Sequence, residues 1–149
     1  MPEPLSQHIV IVQAGEGLCA LPVEAVIETM RPAVARSLAG APPWVSGVAV
    51  VRGAPTPVVD LAGLLGGAAE TAAARWVVVR CGARTAALAV RRVVGVATLP
   101  GTSDRVPLLR GAADGAITSL RALDRELLVV LEASRLISPA VLRAVGVDP

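Results

Sequence analysis

Short apolar runs separated by turn residues dominate the first part of the chain, and this pattern predicts β-strands. HIVIVQA (residues 8–14) and LCALPV (residues 18–23) flank the glycine turn GEG, as expected of a hairpin. The next segment, VEAVIETM, has its apolar residues three and four positions apart, which predicts a short helix ended by Pro32. Residues 31–43 are rich in alanine and proline and predict a loop.

The stretch VSGVAVVRGAPTPVVDL (residues 45–61) predicts two strands, over residues 48–51 and 56–59. Pro55 and Pro57 cannot donate a ladder hydrogen bond, so they indicate a strand start, an edge or a bulge. Residues 61–67 predict a short helical turn that ends in glycine. The following GGAAETAAA predicts a soft, exposed connection between two halves of the chain.

The second half repeats this organisation. WVVVRC and TAALAVRRVVGVATL predict strands around the turn GAR, and ITSLRAL and RELLVVLE predict a further pair with a turn at residues 123–125. Residues 100–115, which include the turn signal Asp114–Gly115, predict a loop. The tail, residues 138–149, predicts helical pieces interrupted at Pro139.

An internal repeat relates the two halves. Residues 9–27 align without a gap with residues 76–94, at an offset of 67, and residues 57–65 resemble residues 129–137. Two copies of one small β unit predict a mainly β fold with paired barrels. We therefore expect a single domain over residues 8–137, with halves of about 8–67 and 75–137, followed by a helical tail, 138–149.

Composition narrows the classes of function. The chain has 149 residues, 54% of them hydrophobic, with no Phe or Tyr and two Trp, which favours closely packed strands over aromatic-rich ligand pockets. Its basic residues are all arginines, scattered along the chain, so neither a basic cluster nor stacking aromatics supports nucleic-acid binding. The absence of lysine excludes a P-loop lysine and a Schiff-base nucleophile.

We expect a cytoplasmic location. The start, MPEPLSQH, lacks the features of a signal peptide, and no apolar run reaches the roughly 18 uninterrupted residues of a membrane span. Cys19 and Cys81 are 62 residues apart without CxxC spacing, which indicates two buried free thiols.

Residues suited to catalysis are scarce. GEGLCA (residues 15–20) fits a dinucleotide-binding pattern, but Pro22 and the apolar run favour a hairpin; the nucleotide-binding alternative predicts a helix starting near Gly17. His8 is the sole histidine and indicates a surface residue rather than a metal ligand. With no carboxylate dyad and no G-x-S-x-G elbow, we expect a non-enzyme without metal or cofactor.

Arg52 stands at the end of an apolar strand and needs an explanation. Strict alternation places Val50 and Arg52 on one face and Ala49 and Val51 on the other. A buried arginine would need a carboxylate, for which Glu28 and Asp60 are the candidates. The sequence pattern is equally compatible with a solvated arginine that has no specific partner.

A family resemblance extends this interpretation. The order LPVEAVIE, P-x-W-V-S-G-V, V-R-G and P-x-P-V-V-D-L resembles the CheW-like domain of bacterial chemotaxis coupling proteins, a domain similar to the regulatory module of the histidine kinase CheA. The resemblance covers about residues 9–137, and its most specific part is G-V-x-x-x-R-G-x-x-x-P-V-V-D-L, residues 47–61.

The resemblance implies two five-stranded, SH3-like β-barrel subdomains with short helices around a shared apolar seam. It implies a non-catalytic adaptor that bridges a chemoreceptor cytoplasmic tip to a CheA-type histidine kinase regulatory domain, recruited to membrane-associated receptor arrays without inserting into the membrane. By position it assigns partner binding to Glu28 and Arg52 as a pair, and to Val26, Gly47, Gly53, Val93 and Val96. It also favours Glu28 as Arg52's partner and leaves Asp60, whose counterpart is Glu132, to cap the helical turn.

Three departures from the family pattern leave a second hypothesis open. Val50 replaces a usual asparagine, Arg91–Arg92 replaces a common acid, and residues 118–121 read TSLR where the family has T-G-x-G. A divergent CheW-like scaffold that binds another partner without kinase coupling is the alternative that these positions suggest.

Overall fold

The computed structural model describes residues 7–99, 117–123 and 126–137. The predicted loop 100–115, the turn around Asp124–Arg125 and the tail 138–149 lie outside these residues. Ten strands, one short α-helix and two 3₁₀ turns make up the described part. The strands are β1 Gln7–Ala14, β2 Gly17–Pro22, β3 Val26–Met30, β4 Val45–Val51, β5 Ala54–Asp60, β6 Arg75–Cys81, β7 Arg84–Val90, β8 Arg92–Leu99, β9 Ile117–Leu123 and β10 Glu126–Leu131; the helix is α1 Leu61–Leu64, and the 3₁₀ turns are Val23–Ala25 and Ala133–Arg135.

The strands form two five-stranded sheets with equivalent topology. Sheet A has the order β8-β1-β2-β10-β9, and sheet B has the order β3-β6-β7-β5-β4. Within each sheet one pair is parallel, β2 with β10 and β5 with β7, and the others are antiparallel. The predicted fold class, mainly β with two SH3-like five-stranded units and short helices, is confirmed, although among the described strands each sheet is an open row rather than a closed barrel.

The two sheets do not follow the two halves of the repeat. Sheet A combines β1 and β2 with β8, β9 and β10, and sheet B combines β6 and β7 with β3, β4 and β5. Each half therefore supplies a hairpin to one sheet and three strands to the other. The predicted domain bounds, residues 8–137, remain a prediction.

Three layers of buried side chains explain why several strands are continuously apolar. A central core between the sheets includes Val12, Leu21, Val77 and Leu88. The opposite face of sheet A packs a second cluster around Ile9, and the opposite face of sheet B packs a third cluster. Strands β1, β2, β6 and β7 are thus buried on both faces, so their sequences do not alternate with polar residues.

The predicted helix over VEAVIETM is wrong. The structure has a 3₁₀ turn, Val23–Ala25, followed by strand β3, which pairs with β6 and carries a bulge between Val26 and Glu28. The bulge directs Val26 towards the central core, while Ile27 and Met30 pack against the third cluster. Val26, Ile27 and Met30 are therefore all partly buried, and their spacing along the chain is the same as on one face of a helix.

The strands predicted within residues 45–61 are present and slightly longer. Pro55 and Pro57 lie in β5 opposite Val50 and Val48 of β4, ahead of the segment, starting at Val58, that pairs with β7. They occupy a part of β5 with only one neighbouring strand, as expected for residues that cannot donate a hydrogen bond to a second one. Residues 31–43 form the predicted loop, apart from a single bridge between Arg36 and Val48.

Candidate functional site

The β4–β5 hairpin ends in a two-residue turn with an unusual backbone. Val51 and Ala54 are the last paired residues, so Arg52 and Gly53 form the loop, with φ angles of 52° and 76°. Positive φ at both positions is typical of a type I′ turn, in which asparagine and glycine are the usual residues. Arg52 is the sole non-glycine residue with positive φ in the described part of the chain.

Arg52 pairs with Glu28. Its Nε and Nη2 donate to one carboxylate oxygen, Oε2 of Glu28, at 3.0 and 2.8 Å. The side chains remain 62% and 30% exposed, respectively, so the pair lies at the surface. The structure therefore selects Glu28 among the open possibilities, with two guanidinium nitrogens on one carboxylate oxygen.

This ion pair links the two ends of sheet B. Glu28 lies on β3, the first strand of the row, and Arg52 lies at the tip next to β4, the last strand. The row must curl strongly for these ends to meet, as in an SH3-like unit. The side chains close a gap that backbone hydrogen bonds leave open among the described strands.

Gly47 allows the loop 31–43 to lie against β4. It sits at a bulge with φ of 154°, and a Cβ there would overlap the carbonyl group of Arg36. Directly beside it, Arg36 and Val48 exchange backbone hydrogen bonds of 2.8 and 2.9 Å. Gly53, in contrast, faces open space and is required only for the turn conformation.

The three valines assigned by the resemblance lie on outer strands of opposite sheets. Val26 on β3 and Val93 on β8 are both half-buried and pack against the central core. Val96, further along β8, is 71% exposed. The structure thus joins Glu28 and Arg52 directly and places these valines at the edges of the two sheets.

Two more exposed valines lie beside the hairpin. Val50 is 71% exposed and Val34 is 92% exposed. Ala49 and Val51 are buried, so they lie on the face opposite to Val50, as the alternation predicts. An isolated antiparallel bridge between Arg36 and Val48 attaches the loop that carries Val34 to the strand that carries Val50. Sequence reasoning identified Val50 as a departure from the family but missed Val34.

Asp60 caps α1, as its position in the repeat indicates. Its Oδ1 accepts a hydrogen bond from the Gly63 amide at 3.2 Å, and its Oδ2 accepts one from the Glu70 amide at 3.0 Å. The side chain of its counterpart Glu132 does not cap the following 3₁₀ turn; its Oε2 lies 3.5 Å from Nε of Arg135 within that turn.

The connection GGAAETAAA is exposed at eight of its nine residues, as predicted, but the side chain of the remaining residue, Glu70, is buried. The Glu70 side chain is only 1% exposed. It accepts hydrogen bonds from the Gly15 amide at 2.8 Å, the Ala72 amide at 3.2 Å, and Nε and Nη2 of Arg91 at 3.3 and 3.1 Å. Burial acts to raise the pKa of Glu70, but these hydrogen bonds and the charge of Arg91 outweigh it and hold the pKa below its ordinary value of 4.5.

A groove of about 650 Å³ lies next to Glu70. The β1–β2 turn, the connection after α1 and strand β10 line it, with Leu18, Leu65 and the 60% exposed Leu127 among its apolar side chains. Arg91 is the one basic residue of its lining.

The remaining chemical candidates do not assemble a reactive site. GEGLCA forms the β1–β2 turn and strand β2, so the nucleotide-binding hypothesis, which requires a helix near Gly17, is wrong. His8 Nδ1 lies 3.1 Å from the hydroxyl oxygen of Thr98. Cys19 and Cys81 are free thiols, as predicted, and burial raises the pKa of each to about 12. Within the described residues no cluster of three potential metal ligands occurs.

Comparisons with known proteins agree with this architecture. The family model described as the CheW-like domain matches residues 8–140. The crystal structure of the scaffolding protein TtCheW from Thermoanaerobacter tengcongensis is similar, with a TM-score of 0.74, 21% sequence identity, and coverage of 89% of this chain and 92% of that chain. A comparison with curated proteins returns no match. From the family match over most of its length, together with the shared fold, we conclude that this chain belongs to the CheW-like domain family.

Proposed function

We propose that this chain is a non-catalytic signalling adaptor that bridges the cytoplasmic tip of a chemoreceptor to the regulatory domain of a CheA-type histidine kinase. The observation that carries the proposal is the exposed Arg52, held with positive φ at a hairpin tip and paired with Glu28. Left-handed backbone costs an ordinary residue roughly 1–2 kcal/mol, and an exposed ion pair returns about 1 kcal/mol at most. The ion pair therefore does not offset the conformational cost of an arginine at this position, and this supports a role for Arg52 in partner recognition.

The proposed partner surface divides into contacting and supporting residues. Arg52, Glu28 and Val96 are exposed enough to touch a partner. Gly53 allows the turn conformation in which Arg52 is exposed, and Gly47 leaves room for the loop of residues 31–43 to lie against β4. Val26 and Val93 fix the outer strands against the central core.

The proposal assigns the chain to the cytoplasm at membrane-associated receptor arrays, without a cofactor or a catalytic step. Among the residues that the structure describes, no helix is both long and apolar enough to cross a bilayer. Recruitment would then depend on the receptor tip and the kinase module as the chain's two partners.

Titration calorimetry of the full chain against a CheA-type regulatory domain and against a receptor-tip coiled coil tests the proposal. We expect Arg52→Ala to weaken binding at least roughly tenfold, the loss typical of an interface hot spot. Arg75→Ala removes another exposed arginine, at the start of β6, and serves as the matched control with unchanged binding. Failure of the unmodified chain to bind either partner at high micromolar concentration would overturn the proposal.

The exposed valine pair favours a second candidate, a divergent CheW-like scaffold that has lost kinase coupling. Val34 and Val50 are both largely exposed, so each presents an apolar side chain that a partner could cover. Binding to another CheW-like domain but to neither kinase nor receptor, abolished by Val50→Asn, would support this candidate. Val23→Asn, at a 37% exposed residue in the turn before β3, is the control for a general loss of apolar surface.

A further inference from the structure

Glu70 binds three other segments of the chain, two through its side chain and one through its backbone amide. One oxygen, Oε1, accepts from the Gly15 amide in the β1–β2 turn of sheet A. The other, Oε2, accepts from Arg91 and from the Ala72 amide. The Glu70 amide itself donates to Asp60 at the end of β5 in sheet B. A single residue of the interhalf connection is thus bound to both sheets.

Arg91 occupies the point at which the chain passes from one sheet to the other. It follows Val90, the last residue of β7 in sheet B, and precedes Arg92, the first residue of β8 in sheet A. Its amide donates to the Gln13 carbonyl oxygen at 2.8 Å, and its guanidinium group is held by Glu70. The crossover is therefore fixed by its backbone and by its side chain.

Strand β8 depends on this attachment because it is an edge strand. Among the described strands its sole neighbour in sheet A is β1, and the ladder between them is interrupted by a bulge after Val93. Near the bulge, Arg92 Nε donates to Gln13 Oε1 at 2.7 Å, and Gln13 Nε2 donates to the Gly15 carbonyl oxygen at 3.2 Å. The start of β8 and the β1–β2 turn are consequently held by one continuous hydrogen-bond network.

We propose that Glu70 is a positioning residue that fixes the Arg91 crossover and thereby sets the placement of β8, whose Val93 and Val96 belong to the partner-binding surface. This inference rests on the proposed function for the role of the surface, while the placement of β8 can be tested without a partner. It also accounts for Arg91, a departure from the family pattern, because the buried carboxylate of Glu70 requires a cation beside it.

The energetics support a local role rather than general packing. A buried carboxylate that accepts four hydrogen bonds from three segments leaves charged or polar groups unsatisfied when it is removed. The groups most affected are the Gly15 amide and the Arg91 guanidinium, both at the start of the β1–β8 pairing. Strand β4, at the far edge of sheet B, shares no contact with Glu70 in the network above.

Amide hydrogen exchange on the full-length chain tests the placement of β8. In Glu70→Gln we expect roughly tenfold faster exchange at Arg91 and along β8, with the β4–β5 hairpin changed less than about twofold. Glu16→Gln removes a carboxylate from the lining of the same groove, one without a hydrogen bond in the network, and is the matched control with unchanged exchange. Equal acceleration of both sheets in Glu70→Gln would show a global effect and overturn the proposal.

Partner titration completes the test. If the unmodified chain binds its partner, Glu70→Gln should weaken binding about fivefold or more while Glu16→Gln does not, since loss of a charged hydrogen bond is typically large enough for such a change. If Glu70→Gln does not fold, Arg91→Lys replaces it in this titration. The lysine keeps the positive charge but cannot make the two-nitrogen contact with Glu70. Unchanged affinity in folded variants would contradict the positioning role, whereas absence of binding by the unmodified chain would contradict the proposed function instead.

Discussion

At the tip of the β4–β5 hairpin, Arg52 combines a left-handed backbone with an exposed ion pair, and these two properties can be separated by mutation. Arg52→Asn removes the ion pair but suits the turn, whereas Arg52→Ala removes the pair and keeps the unfavourable conformation. We expect Asn to be more stable than Ala by about 1 kcal/mol in urea denaturation, with both variants deficient in partner binding. Equal stabilities would show that the turn carries no conformational strain.

The Glu28–Arg52 pair should contribute little to stability and more to binding. A double-mutant cycle with Glu28→Gln and Arg52→Gln is expected to give a coupling of about 0.2–1 kcal/mol in unfolding, since the Arg52 side chain is 62% exposed. The same cycle measured by partner titration should show clear non-additivity. Additive losses in binding would mean that the two residues act independently.

Residue-level prediction from sequence succeeded where a simple periodicity applied. Alternation along β4 correctly placed Val50 on the face opposite to Ala49 and Val51, and the structure shows that Val50 is on the exposed face. The choice between Glu28 and Asp60 as Arg52's partner needed the repeat and the family resemblance, because both lie at positions compatible with pairing. The positive φ of Arg52 had no direct signal, since arginine is not a residue that such turns prefer.

At the level of elements, Gly47 gives a sharp prediction. Gly47→Ala should lower the free energy of unfolding by about 1–3 kcal/mol, because the new Cβ would displace the Arg36 backbone from its bridge with Val48. Gly53→Ala meets no neighbouring atom and should cost only about 1 kcal/mol, the conformational cost of its positive φ. Urea titration of both variants provides the comparison, and equal losses would contradict the steric explanation.

Two features were not predicted from the sequence: the strand conformation of β3 and the buried side chain in the connection after α1. The bulge at β3 places Val26, Ile27 and Met30 inward with a spacing that also suits a helix, so periodicity cannot distinguish the two. The connection around Glu70 is rich in Gly and Ala, which indicates a loop but not burial. Arg91 was identified only as a departure from the family resemblance, and no sequence pattern linked it to Glu70.

At the level of the whole molecule, the buried carboxylate of Glu70 predicts acid sensitivity. Its pKa is lower in the folded chain than the ordinary 4.5, so its stabilisation is complete above that pH and is lost as the pH falls through the folded value. The difference in unfolding free energy between the unmodified chain and Glu70→Gln should be largest at neutral pH and should shrink as the pH falls below 4.5. A constant difference across this range would exclude Glu70 as the titrating group.

The central core should also protect both cysteines. Cys19 and Cys81 are buried, and their pKa values of about 12 leave almost no thiolate at neutral pH. We expect iodoacetamide labelling to be limited by global unfolding and to accelerate with urea in parallel with loss of the fold. Rapid labelling in native buffer would indicate local opening around β2 or β6.

The fold was the part most accessible from sequence, because strand runs, glycine turns and the offset of 67 all indicated a duplicated β unit. The exchange of strands between the sheets could not be predicted from the sequence, because a repeat shows which segments are equivalent but not which segments pair. Residues 45–61 form β4 and β5 locally, yet the parallel neighbour of β5 is β7 from the other half.

This exchange of strands has a consequence for how such a chain could arise and be divided. Because each sheet needs a hairpin from one half and three strands from the other, a chain cut within the connection between α1 and β6 should yield two fragments that associate with each other but do not fold separately. A single half would lack strands of both sheets, and two identical copies could supply them to each other by exchanging strands in a symmetric dimer. In the full chain the same strand exchange is intramolecular, and the equivalent edge strands β3 and β8 carry different sequences.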